Sequence, residues 1–329
     1  MKAVVITAPG GVDVLELRDV PPPVPSYAQV LVRVHATALN RADLMQREGR
    51  YPPPGDAPKD IPGMEFAGEV AEVGPGVARW RIGQRVLGIV GGGAYAEYLV
   101  THERLLAEIP EPLSYSAAAA VPEAFITAHD ALVTQASLRA SETVLIHAVA
   151  SGVGLAAVQI VRALNAIPFG TARGSGKLER AKELGLEDGW AATDDMSELA
   201  AHAKRWSGGK GMNVVLDLVG GPYFPASIEA MAPLGRLMVI GTIAGRDAQI
   251  PLGRVLASRI TIRGTMLRGR AIEEKIAATR AFEEQVVPLL ARGVVRAVVD
   301  CEFALADVRA AHTLLESNET VGKIVLRVA

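Results

Sequence analysis

The chain is predicted to be an α/β protein, a doubly wound parallel-sheet domain joined to a β-rich one, and three observations carry that expectation. Short β-branched runs broken by Gly and Pro fill the N-terminal part, strands and helices alternate after about residue 140, and a glycine-rich turn sits between the first of those strands and its helix. Strands are expected over 2–7, 15–20, 30–36, 65–73, 85–90 and 94–100. Val30, Val32 and Val34 alternate with Leu31, Arg33 and His35, the period-two signal of a half-buried strand. Pro21-Pro22-Pro23-Val24-Pro25 and Tyr51-Pro52-Pro53-Pro54-Gly55 are loops, because proline has no amide hydrogen to give a strand ladder. The run 117–120, four alanines, suits a helix. Beyond it come a strand at 143–147, a helix at 154–164, a strand at 167–171 and a helix at 177–184. In that last helix Leu178, Ala181 and Leu184 share a face, and Gly185 stops it. A strand at 213–219, a helix at 223–232 and a strand at 236–242 continue the alternation, which implies parallel pairing. A long amphipathic helix at 272–290 and a strand at 323–327 complete the chain.

A length of 329 residues, half of them hydrophobic, fits two cooperating domains. The 34 basic residues nearly balance the 36 acidic ones for a net charge of −2, so a nonspecific electrostatic grip on nucleic acid or an anionic membrane is not expected. Cys301 is the only cysteine, which excludes an internal disulfide framework or a Cys-rich zinc lobe and points to a reducing, cytoplasmic setting. Neither a secretory leader nor an apolar run of about 20 residues is expected to direct the chain to a membrane. A small-molecule partner is expected.

The run from Val144 to Ala157 is the most informative. From Gly152 it reads Gly-Val-Gly-Leu-Ala-Ala, a G-x-G-x-x-A match between strand and helix, where Gly152, Val153 and Gly154 bring backbone close to a pyrophosphate at the helix N-terminus. The end of the next strand selects the dinucleotide, since an acid there would bind a ribose diol and a basic residue a 2′-phosphate. Here it reads Thr171-Ala172-Arg173-Gly174-Ser175-Gly176-Lys177, without an acid, and Arg173 lies 19 positions beyond Gly154. Arg173, Ser175 and Lys177 therefore favour NADPH over NADH.

With these segments in hand the chain resembles, end to end, the zinc-independent medium-chain dehydrogenases/reductases, specifically the NADPH quinone oxidoreductases of the zeta-crystallin-like group. The resemblance rests on Met1-Lys2-Ala3-Val4, the block from Leu39 to Tyr51, Pro62-Gly63-Met64-Glu65-Phe66-Ala67-Gly68, the turn from Ser151 to Gly154, and Gly322-Lys323-Ile324-Val325-Leu326. It implies a GroES-like substrate domain made of 1–123 and 268–329, with a Rossmann NADP-binding domain, 124–267, inserted in it. It further implies an active site in the interdomain cleft and a homodimer formed through the nucleotide-binding domains. The activity implied is metal-free hydride transfer from NADPH to a quinone or other electrophilic acceptor. Two rival readings stand beside it: an enoyl or alkenal reductase acting on an activated alkene, and a non-enzymatic, crystallin-like NADPH-binding protein.

Residue by residue, Asn40 and Thr127 match positions that line the nicotinamide pocket, against a capping role for Asn40 and a helix-backbone bond for Thr127. Tyr51 matches the family tyrosine, whose phenol would hydrogen-bond or protonate the reduced acceptor, against simple packing on the prolines that follow it. Ser151 either caps its helix or contacts the cofactor. Gly241, Thr242, Thr265, Met266 and Leu267 match segments near nicotinamide and its ribose, Leu218 and Val219 match wall positions, and Lys323 joins the cofactor-binding set. One departure from the family is Ala192, where a tyrosine near the adenosine phosphate is expected. Alcohol-oxidising relatives hold zinc through a Cys and a Gly-His-Glu motif; here Asn40 and Met64 stand in those places, and no zinc site is expected. The six histidines are scattered without helical pairing and are expected to be surface or core residues.

Overall fold

A computed structural model describes residues 1–193 and 195–328. The strands are β1 (Lys2–Ile6), β2 (Leu15–Asp19), β3 (Gln29–Ala38), β4 (Glu65–Val73), β5 (Arg85–Ile89), β6 (Tyr98–His102), β7 (Leu106–Glu108), β8 (Thr143–Ile146), β9 (Ile167–Ala172), β10 (Asp188–Ala191), β11 (Met212–Asp217), β12 (Met231–Val239), β13 (Thr261–Gly264), β14 (Val299–Ala304) and β15 (Lys323–Arg327). The helices are α1 (Arg41–Arg47), α2 (Tyr115–Ala119), α3 (Pro122–His129), α4 (Gly152–Ala163), α5 (Ser175–Lys182), α6 (Leu199–Trp206), α7 (Tyr223–Ala230), α8 (Leu252–Ser258), α9 (Ile272–Gln285), α10 (Val287–Ala291) and α11 (Val308–Ser317). They fall into two compact units, Met1–Ile126 with Leu267–Ala329, and Thr127–Met266.

The first unit is built on a mixed sheet in the order β14-β15-β3-β4-β5-β7, with β6 also paired to β3. Alternation dictates which face is buried: Val30, Val32 and Val34 of β3 point into a core with Phe66, Val70, Val86 and Leu106. The C-terminal strand β15 lies in this sheet, antiparallel to β3, with Val325 opposite Ala38. The second unit is a parallel sheet in the order β10-β9-β8-β11-β12-β13, so the chain starts at the centre, moves outward one way, and then reverses past its first strand. Its strands are apolar on both faces, as expected of a sheet covered by helices on both sides. Among the described residues no helix is long and apolar enough to cross a membrane.

Several expectations are corrected. The single helix over 272–290 is two helices broken at Val286, because Pro288 has no amide hydrogen and cannot continue the bonding of α9. The strand expected at 94–100 begins only at Tyr98. Ala94, Tyr95 and Ala96 are buried in loop, with the Tyr95 amide bonded to Pro62 O and its carbonyl to Val4 N. The helix expected from residue 154 starts at Gly152, where Ser151 caps it.

Candidate active site

In the second unit the ends of β8 and β11 flank the point where strand order reverses, the place where doubly wound sheets open a crevice for ligands. The turn after β8 holds Ala148 at φ 48°, a left-handed conformation that a non-glycine residue adopts at a cost. Ser151 Oγ then accepts from the Gly154 amide at 3.1 Å and caps α4. That leaves the Gly152 and Val153 amides, which have no intrahelical acceptor, at the positive end of the helix. A Cβ on Gly154 would lie 2.5 Å from Val149 O and 2.6 Å from Ala148 O, so only glycine lets turn and helix approach this closely.

Beyond β9, Arg173 and Ser175 are exposed and Lys177 is partly exposed, ahead of and within the first turn of α5; Gly174 at φ 93° makes the bend. A cradle closed to any Cβ, an open helix N-terminus and cationic side chains past the next strand fit a dinucleotide carrying a 2′-phosphate. Beneath the crevice, Asp217 accepts from the Val219 and Gly220 amides at 2.8 and 2.9 Å, fixing the turn after β11. His147 is fully buried, and burial pushes it down to about 4, so it is neutral. The Ser227 hydroxyl donates to Tyr223 O, so it accepts from His147 Nε2–H at 2.7 Å, and the Thr171 hydroxyl donates to Nδ1 at 2.8 Å. This histidine is a core pin.

The first unit gathers buried charge instead. Lys323 Nζ, on β15, donates to Leu39 O at 2.7 Å and Asn40 Oδ1 at 2.6 Å, and pairs with Glu65 Oε1 at 2.6 Å. Asn40 Nδ2 donates to the same Glu65 oxygen at 2.9 Å, and the Glu123 amide donates to Glu65 Oε2 at 2.8 Å. Asp43, at 0% exposure, accepts from the amides of Asn40 and Gly63 and from the Tyr95 hydroxyl. Burial outweighs those bonds and pushes its carboxyl up to about 6. Arg268 donates to Gly91 O, Tyr51 O and Gln46 Oε1, and its guanidinium lies 4.8 Å from the Tyr51 ring centroid. Burial raises the Tyr51 phenol against the pull of Arg268, so it keeps its proton at neutral pH.

In the first unit Asn40 and Lys323 meet at Glu65 and Tyr51 lies against Arg268, and the second unit holds Ser151, Gly152, Val153, Gly154, Arg173, Ser175 and Lys177 around α4 and α5. Gly241 and Thr242 follow β12, and a Cβ on Gly241 would meet Leu218 O at 2.4 Å. Met266 is exposed, whereas Leu267 is buried, and the two fall in different units. Thr127 is partly exposed on α3, and Ala192 is buried. Asn40 precedes α1 and its backbone N–H donates the capping bond to Asp43 Oδ2, while its side chain is tied to Lys323 and Glu65. Sequence reasoning missed Gln46, Glu65, Glu123 and Arg268. Their signal was a polar or charged residue inside an apolar run, as in Met64-Glu65-Phe66-Ala67 and Val121-Pro122-Glu123-Ala124-Phe125.

Residues 152–286 match the zinc-binding dehydrogenase family model, and residues 26–111 match the alcohol dehydrogenase GroES-like domain. A quinone oxidoreductase of Pseudomonas aeruginosa is 35% identical over 99% of both chains. The pikromycin polyketide synthase component PikAII of Streptomyces venezuelae is 33% identical over 97% of this chain, which covers 8% of that protein. The crystal structure of Escherichia coli quinone oxidoreductase complexed with NADPH superposes with a TM-score of 0.88 at 27% identity, covering both chains fully. A mixed-sheet GroES-like domain, a dinucleotide cradle and this end-to-end similarity make the chain a member of the zeta-crystallin-like quinone oxidoreductase family of medium-chain dehydrogenases/reductases.

Proposed function

We propose that the chain is an NADPH-dependent quinone oxidoreductase that works without a metal. The observation that carries this reading is the full-length similarity to the P. aeruginosa quinone oxidoreductase, and the basic, acid-free end of β9 agrees with it. When bound, NADPH supplies a hydride. Gly152 and Val153 amides would hold the pyrophosphate, Arg173, Ser175 and Lys177 the 2′-phosphate, and Thr127, Gly241, Thr242 and Met266 the nicotinamide end. Tyr51, kept protonated, donates a hydrogen bond to the oxygen of the acceptor, and Arg268 fixes the plane of its ring. The metal-free reading is supported by the Lys323 ammonium, which fills the space between Asn40 and Glu65 and satisfies both.

A second reading, reduction of an activated alkene, is favoured by the match to the polyketide synthase along nearly the whole of this chain. Oxidation of NADPH by the purified protein in the presence of 1,4-benzoquinone or naphthoquinone, against 2-alkenals and enoyl thioesters, separates the two. Turnover with quinones and a lower KM for NADPH than for NADH are expected; turnover with alkenals alone would transfer the assignment to the second reading. We further propose a cytoplasmic homodimer formed through the second unit, where β13 is an edge strand with Ile262 exposed and α8 exposes Leu252 and Leu256. Light scattering should give twice the chain mass, and Leu256→Asp should halve it.

A further inference from the structure

Arg268 ends in a buried spot of the first unit that holds more hydrogen-bond donors than acceptors. A guanidinium carries five N–H groups. Here Nε donates to Gly91 O at 2.8 Å, Nη1 to Tyr51 O at 3.4 Å and Nη2 to Gln46 Oε1, which leaves one N–H on each Nη without an acceptor among the described residues. All three acceptors are neutral. The cation holds Gln46 Oε1 toward itself and so fixes which way the amide is turned, and Gln46 Nε2 is then a second buried donor without a partner among the described residues. Arg268 is 9% exposed and Gln46 6%, so bulk water reaches little of either. The other charges of the region are committed elsewhere. Lys323 has Glu65 as its carboxylate, and Asp43 spends its oxygens on the Asn40 and Gly63 amides and the Tyr95 hydroxyl. The Asp43 and Glu123 carboxyls act on Arg268 through space, yet among the described residues no carboxylate forms a salt bridge with it.

We propose that Arg268 and Gln46 form an oxyanion site for the acceptor, their unspent N–H groups holding the oxygen on which hydride transfer leaves a negative charge. That the anion comes from an acceptor rests on the reductase reading above; that the spot takes an anion rests on its donors. Donors fixed in place, shielded from water and short of acceptors, favour a developing oxyanion over a neutral carbonyl, because they need not reorganise as the charge appears. Position agrees with this role. The guanidinium lies 4.8 Å from the centre of the Tyr51 ring, so an acceptor that takes a hydrogen bond from Tyr51 has the cation close by. A planar fork can keep three donors on the protein and turn others to a ligand, which a lysine ammonium cannot. The step balances. Two electrons and one hydrogen enter the quinone with the hydride as its bond to nicotinamide C4 breaks, one quinone oxygen is left negative, and a proton from water neutralises it.

The test uses two probes that differ in charge: 2-hydroxy-1,4-naphthoquinone, an oxyanion at neutral pH, and its uncharged 2-methoxy ether. Each is titrated by calorimetry into the purified chain with NADP+, so that nothing is reduced. The wild type should bind the anion about tenfold more tightly than the ether, the size of one charge-assisted hydrogen bond. Arg268→Gln should bind both alike, and Arg268→Lys should keep part of the preference. Gln46→Glu sets a carboxylate against the guanidinium and supplies the counter-charge it lacks. Its Tm should hold or rise while the preference for the anion disappears, a pair of results that loss of folding could not produce. In turnover with NADPH and 1,4-naphthoquinone, Arg268→Gln and Gln46→Glu should lower kcat about a hundredfold and leave KM for NADPH where it was. A wild type that reduces quinone yet binds the two probes equally or not at all, or a Gln46→Glu variant that keeps the preference, overturns the proposal alone. A preference for the anion in a wild type that reduces no quinone overturns the reductase reading and, with it, the source of the anion.

Discussion

The two units support their functional groups in opposite ways. At the nucleotide end of the second unit the parts are backbone amides, glycines and a helix terminus, with charge left at the surface on Arg173 and Lys177. In the first unit the parts are side-chain charges sealed inside, Lys323, Glu65 and Asp43, each held by several partners. A backbone site is rigid because the fold is rigid and tolerates change at the surface. A buried-charge site is rigid only while every charge keeps its partner.

The contrast breaks most visibly at Lys323. Lys323→Met should strand Glu65 as an uncompensated buried charge and cost about 3–5 kcal/mol in denaturant unfolding. Adding Glu65→Gln should restore part of that loss, and a single variant within about 1 kcal/mol of wild type would show that charge pairing does not hold the region together. Gly154→Val comes next. Its new side chain meets backbone oxygens that cannot move aside, so about 1–3 kcal/mol of stability should go, as read by Tm, together with most NADPH binding by fluorescence titration. Arg173→Ala should raise KM for NADPH about tenfold, near 1.4 kcal/mol, while leaving the NADH value and Tm where they were. Equal losses for both cofactors would move the phosphate contact elsewhere.

The last effect concerns pH. Burial raises the Glu123 carboxyl in the folded chain above its ordinary value near 4.5, so folding takes up a proton between about 4.5 and 7. The stability from that proton is complete below pH 4.5 and lost as pH rises through 7. Glu123→Gln should therefore unfold at a higher temperature than wild type at pH 8, with the gap closing toward pH 5; a constant gap would mean that the carboxyl does not change protonation with folding.

The same contrast explains what could be read from sequence. Gly152, Gly154 and the following strand lie within about thirty residues, because one βαβ unit supplies the whole cradle, and local spacing reveals it. Glu65, Glu123, Arg268 and Lys323 come from four distant segments, and only the pairing of β15 with β3 brings Lys323 to Asn40. No periodicity records such a meeting. A family resemblance points to Asn40 and Tyr51, whereas their partners Glu65, Lys323 and Arg268 lie far away in sequence. Pro288 shows a smaller lapse, since a proline inside a helical pattern is itself the signal of the break at Val286.

The position of β15 also orders events in time. The second unit is one continuous segment, complete before β15 is synthesised, whereas β3 must wait nearly the whole length of the chain for its neighbour. Until then Glu65 lacks its ammonium and the Ala36–Ala38 end of β3, beyond its pairing with β6, lies open. Assembly of the charged region is in this way a late step on a growing polypeptide, and a chain ending short of Lys323 would leave the Ala36–Ala38 end of β3 without a neighbour and Glu65 without its ammonium at the same spot.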